Sequence, residues 1–314
     1  MKYKTQINKT LIVLLAIFSL QLNAATIEDA TWYLSVDIDK LQNNEAFKVL
    51  KEDKSEKISE VIGELQNVIS HVTLYGNSKG SEDATAVIMG DFSSQTLADS
   101  VLDLIYSKVK DKDISNKISE RTFEYNNHTI QVIIIQESSR NKEIFFSTIN
   151  DHQTVVGFKL DEVKNWIDDK YDDIDIDNDS LFSVVVNVES ALAHMAMNLG
   201  ENNQMMNSEL FHKVEQISAS INENSGDIII DVALSTKSEE TATQIEQVIN
   251  GLIAMANLSN SNDKNQLLKE LINNVSIVKN NNNILINTFI AIDLLKEYKL
   301  KKHNSDDMSI EINL

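Results

Sequence analysis

Val36-Asp37-Ile38-Asp39 closes the run Thr31-Trp32-Tyr33-Leu34-Ser35-Val36-Asp37-Ile38-Asp39, in which apolar and polar residues take turns. That is the period of a half-buried β-strand. Val186-Asn187-Val188-Glu189 closes a second such run, begun at Leu181, about 150 residues further along. Each run leads into a helical stretch, and the segments after it follow in the same order in both halves.

A hairpin comes next. In the first half it is Val72–Tyr75, a loop over Gly76–Asp83 and a return over Ala84–Phe92. In the second, Ile217–Ile221 turns through Asn222–Asp227 into Ile228–Leu234. Gly, Asn and Asp supply the positive backbone angles that such loops need. An amphipathic helix follows each hairpin, carried by Leu97, Val101, Leu104 and Ile105 in one half and by Ile245, Val248, Ile249 and Leu252 in the other. Asn126–Val132 is then echoed by Asn281–Ile286 as a further strand. The halves differ at their ends. Strands at Ile144–Ile149 and Thr154–Phe158 precede a helix at Asp161–Asp168, whereas Ile290 passes almost directly into a helix at Asp293–Leu300.

This pattern predicts an α+β fold of two tandem pseudo-repeated domains, each a mostly antiparallel sheet with helices packed on one face. The expected boundaries are 25–171 and 181–302, joined by an acidic linker at 172–180 and ended by a tail at 303–314. The first domain holds one further periodic segment. Ile58, Val61, Ile62, Leu65, Val68 and Ile69 form a single apolar stripe, expected as a core-packing helix.

Residues 1–24 read as a secretory signal peptide. Lys2, Lys4 and Lys9 precede the apolar run Leu11–Leu20, which is about half the roughly 20 residues a spanning helix needs. Leu22-Asn23-Ala24 offers a cleavage site. The expected location is the periplasm or outside the cell, with no stable membrane insertion once the signal is removed.

Composition excludes several chemistries. The 314 residues contain no cysteine, which removes thiolate catalysis, cysteine-held zinc, iron–sulfur clusters and disulfide staples. With 28 basic and 48 acidic side chains the net charge is -20. Such a field repels phosphate backbones, so nucleic acid is not an expected partner.

The motifs give little more. Gly76-Asn77-Ser78-Lys79-Gly80 fits the nucleophile-elbow pattern, but a returning strand stands where that chemistry requires a helix, so it reads as a hairpin loop. Asp173, Asp175, Asp177 and Asp179 fall at the first four ligand positions of a calcium loop. Val184 occupies the closing position, where a bidentate glutamate belongs. The run therefore reads as a solvated linker, with a weak calcium site as the alternative. His194 and Met197 stand three apart on a helical stretch and could offer imidazole and thioether to copper, although methionine there also suits core packing. The other histidines make no ligand-spaced pair, and no phosphate-binding glycine motif occurs.

The resulting expectation is an exported, non-enzymatic binding or interaction module acting through the inter-domain cleft on a protein or small-molecule partner, with no cofactor. The alternatives are a periplasmic hydrolase with an unrecognised carboxylate site, or a calcium- or copper-binding protein.

Overall fold

The computed structural model describes residues 30–46, 48, 68–76, 84–94, 96–108, 117–136, 141–170, 180–194, 211–259 and 266–298. The chain is a mixed α and β protein built on antiparallel sheet. It divides into two compact units. Among the described residues, unit one takes 30–39, those of 54–179 and 190–194, and unit two takes 40–46, 48, 180–189 and those from 211 onward.

Unit one contains β1 (Trp32–Asp37), β2 (Ile69–Gly76), β3 (Thr85–Gly90), β4 (Ile118–Tyr125), β5 (His128–Gln136), β6 (Asn141–Asn150) and β7 (Gln153–Gly157). The short helix α1 (Ile38–Asn43) follows β1, with residues 40–43 falling in unit two, α2 (Leu97–Lys108) follows β3, and α3 (Leu160–Ile167) follows β7. The strands lie in the order β1-β2-β3-β7-β6-β5-β4, every neighbouring pair antiparallel. The β4–β5 turn is Asn126-Asn127, both at positive φ, a geometry asparagine tolerates better than most residues. The sequence reading began this strand at Asn126, but these two residues form the turn and the strand begins at His128.

Both faces of this sheet carry helices, which corrects the expectation of one. Ile130 and Val132 of β5 join Val163 and Trp166 of α3 in one buried cluster with Tyr75, Val87, Phe145 and Val155. Gln131 points to the other side, where its Nε2 donates to Asp99 Oδ1 of α2 at 2.9 Å. Strand β5 can serve both faces, because Val132-Ile133-Ile134-Ile135 places apolar residues at both parities. Helix α2 starts on a capping pair: Asp99 N–H donates to Thr96 Oγ1 at 3.2 Å, and Thr96 Oγ1 donates to Asp99 Oδ2 at 2.7 Å.

The stripe 58–69 lies outside the described residues except at its end. There Val68 is a turn residue and Ile69 opens β2, so the helical period does not extend through Ile69.

Unit two contains β8 (Phe182–Asn187), β9 (Val214–Asn224), β10 (Asp227–Thr236), β11 (Ser276–Asn280) and β12 (Asn283–Ala291). Its helices are α4 (Val188–His194), which follows β8, then α5 (Glu239–Ser259) and α6 (Gln266–Asn273). Residues 190–194 of α4 fall in unit one. Residues 292–298 are helical as well. The strands lie in the order β8-β9-β10-β12-β11, again antiparallel throughout. Ser225-Gly226, at φ 55 and 90, makes the two-residue β9–β10 turn that such a hairpin prefers.

Here α5 and α6 share one face. Ala242 and Ile245 of α5 pack with Val214 and Ile284, and Ile217, Leu234, Ile277 and Ile286 surround them. Thr288, on the same side of β12 as Ile284 and Ile286, donates to the Leu271 carbonyl of α6 at 2.7 Å. Ser238 caps α5 by accepting from Thr241 N–H at 3.2 Å. No described helix is long and apolar enough to cross a membrane.

Candidate functional site

The sequence-derived metal candidates fall largely outside the described residues: Asp173, Asp175, Asp177, Asp179 and Met197 all do, as does the side chain of His194. The Ser78 loop lies outside them too. Among the described residues, no group of three or more carboxylate or imidazole side chains is gathered as a metal site.

Three arrangements remain to be judged on geometry. The first pairs a nucleophile type with a base. Ser35 Oγ of β1 and His71 Nε2 of β2 stand 2.7 Å apart, within the reach that acyl-transfer chemistry requires. The register explains the meeting, because Asp37 lies opposite His71 and Ser35 sits two residues before it. Ser35 is only 2% exposed, however. A nucleophile must meet a substrate carbonyl, and a side chain sealed into a sheet face cannot. The pair satisfies two polar groups within the fold.

The second arrangement surrounds Asp168, just past the end of α3. Tyr125 Oη donates to its Oδ2 at 3.0 Å and Asn126 Nδ2 to its Oδ1 at 2.6 Å, while Lys170 Nζ lies 3.3 Å away. Burial pushes this carboxyl upward, but the bonds from Tyr125, Lys170 and Asn126 together outweigh it and hold Asp168 below the ordinary carboxylate value. The same bond, with burial and the neighbouring negative charge, holds the Tyr125 phenol above its ordinary value. Lys164 Nζ sits 4.9 Å from the Tyr125 ring centroid, a cation–π distance. Asp168 here spends its lone pairs tying the β4–β5 turn to α3. It is a clamp, with its charge already neutralised.

The third arrangement is apolar. On β12, Ile284, Ile286, Thr288 and Ile290 face the helices, so Leu285, Asn287 and Phe289 face away from them. Leu285 is 48% exposed, its cross-strand partner Val278 of edge strand β11 is 54% exposed, and Phe289 is exposed as well. Ile229 of β10 lies opposite Phe289, and Asp231 lies opposite Asn287. Asn287 Nδ2 donates to Asp231 Oδ1 at 2.7 Å, fixing a carboxylate in the middle of the apolar group. An exposed cluster of large apolar side chains around one oriented acid is a surface on which another molecule can dock. Sequence reading missed these residues. The signal was present in Asn283-Ile284-Leu285-Ile286, where apolar residues occupy both parities of a strand whose second face meets no described helix.

No family model and no curated protein matches this chain. Among solved structures, crystal form IV of TP0453 aligns over 86% of this chain and 92% of its own, with 11% identity and a TM-score of 0.47. Crystal form III of TP0453 aligns over 88% and 94%, with 10% identity and a TM-score of 0.47.

Proposed function

We propose that this protein is an exported, periplasmic or secreted, non-enzymatic binding module of two tandem domains descended from one duplicated unit. In this reading the outward face of β11 and β12 holds a protein partner. The observation that carries it is the exposed set Val278, Leu285 and Phe289 around the Asn287–Asp231 pair. Apolar surface of this kind gains most from being covered by another apolar surface. Asp231 and the net charge of -20 select a partner whose apolar patch is rimmed by basic or neutral donor groups, and they disfavour an acidic one. Duplication is supported by the strand orders, since β1-β2-β3-β7-β6-β5-β4 becomes the pattern of β8-β9-β10-β12-β11 when β7 and β6 are left out.

The test is a photo-crosslinking amino acid placed at Leu285 in the native host. A single adduct of defined mass is expected, and it should disappear when Phe289→Asp and Val278→Asp are added. Absence of an adduct at 285, or one indifferent to those charges, overturns the surface. Sequencing the mature N-terminus of the same preparation tests export. The calcium reading of the acidic run and the copper reading of His194 and Met197 are decided by calorimetry with each metal.

A further inference from the structure

A different surface of unit two carries a second proposal. Helix α5 is about 31 Å long at the usual rise per residue. Its first half is seated on the sheet, with Thr241, Ala242 and Ile245 buried and Ile249 against the same core. Beyond Glu246 the seating loosens, and the outer stripe emerges. Val248, Leu252 and Met255 are spaced four and then three residues apart on one side of the helix, and all are exposed. Leu258 continues the side one turn later and is 82% exposed.

Two properties of this stripe identify its occupant. The first is charge. From Gln247 to Asn262 the sequence has no ionisable side chain, in a chain whose net charge is -20. Copies of so acidic a protein repel one another, and this segment adds nothing to that repulsion. A helix built for an anionic lipid surface carries Lys and Arg on its polar face, but α5 contains neither. A basic protein partner would find no carboxylate along the stripe. An identical neutral stripe needs no complementary charge at all.

The second property is Gly251, which lies on the same side between Val248 and Leu252. A glycine inside a helix weakens it relative to alanine. Some helical glycines are required by a neighbour that would collide with a Cβ. Beyond its chain neighbours and the backbone of its own helix, Gly251 has nothing within 4 Å of that position. The missing side chain leaves a shallow notch facing outward, where a second helix can approach closely.

We propose that a second copy of this chain docks its own α5 on this stripe, antiparallel, about a twofold axis passing near Gly251. In such an isologous pairing Val248 meets Met255 of the second copy, and Leu252 lies over the notch at Gly251 of the second copy. Large is set against small along the seam, as packed helices require.

The absence of cysteine makes the test clean, because a single introduced thiol reports its own position alone. The purified full chain is expected to pass from monomer to dimer across about 1 to 100 micromolar in sedimentation equilibrium. Leu252→Cys should give a covalent dimer on oxidation, whereas Asn250→Cys, on the opposite side of α5, should not. Leu252→Glu should remain monomeric throughout that range with an unchanged melting temperature. A wild-type chain that is monomeric at every concentration overturns the proposal, as does a dimer that Leu252→Glu leaves intact. Flotation of a monomeric chain with phosphatidylcholine vesicles, abolished by Leu252→Glu, overturns it too and assigns the stripe to lipid.

Discussion

The indole Nε1 of Trp166 donates to the phenol oxygen of Tyr75 at 2.9 Å, joining α3 to β2 across 91 residues of sequence. Both side chains are buried in the cluster that forms one of unit one's two apolar layers. A hydrogen bond between the polar tips of two large rings fixes how those rings pack, because neither can rotate without losing its partner.

Tyr75→Phe keeps the ring and removes the acceptor, and should lower the stability of unit one by about 1 kcal/mol. Trp166→Ala removes packing as well and should cost about 3–5 kcal/mol. Urea unfolding followed by circular dichroism measures both. Equal losses in the two variants would show that ring volume contributes nothing beyond the bond.

Acid should weaken unit one through Asp168. Its carboxyl is held below the ordinary value, so its contribution is complete above about pH 4 and is lost as pH falls through the depressed folded value. The Tyr125 phenol is raised, so its contribution is complete below about pH 10 and is lost as pH rises through the folded value. Asp168→Asn should flatten the acid limb while leaving neutral unfolding cooperative. An acid limb identical to that of wild type would place the proton-sensitive group elsewhere.

Two glycines should respond to alanine for different reasons. At Gly90 a Cβ would stand 1.8 Å from the Val68 carbonyl oxygen, which is backbone and cannot swing aside. Gly90→Ala should cost about 3 kcal/mol. Gly226 sits at φ 90 with open space around it, so Gly226→Ala should cost only the left-handed strain of about 1 kcal/mol. Comparison of the two melting curves checks the ranking, and a Gly226 variant worse than the Gly90 variant would contradict it.

Gly251→Ala should do the reverse. With no neighbour to collide with, the added methyl gains helix propensity of about 1 kcal/mol. At dilutions where the chain is monomeric, unit two should melt higher. A lower midpoint would mean that α5 is not helical through Gly251.

Strand pairing was the most legible part of the fold. The alternation in Trp32–Asp37 and the apolar segments around Val72, Ile217 and Ile284 all became strands, because a period of two is set locally by the pleat. Turn length was less legible. Asn222, Glu223 and Asn224 resemble loop residues by composition, but the ladder continues through them to a two-residue turn. Their pairing with Ile229, Ile228 and Asp227 outweighs their weak strand preference. The number of layers was hidden for a related reason. Ile133-Ile134-Ile135 is compatible with a strand covered on one side or two, and only the arrival of α2 and α3 decides it. The exposed apolar face of β11 and β12 was obscured by the same ambiguity in reverse: Leu285 and Phe289 resemble core residues until one sees that no described helix lies over them.

Glu45 has a consequence for the timing of folding. Its backbone N–H donates to Glu223 at 2.9 Å and its carboxylate receives Lys296 at 3.3 Å, although Lys296 is made 251 residues later. At a ribosomal rate of roughly 5 to 20 residues per second, Glu45 waits on the order of tens of seconds for that ammonium group to emerge. Unit two therefore closes this contact only after residue 296 has left the ribosome, so a chain interrupted before that point holds Glu45 without its late partner.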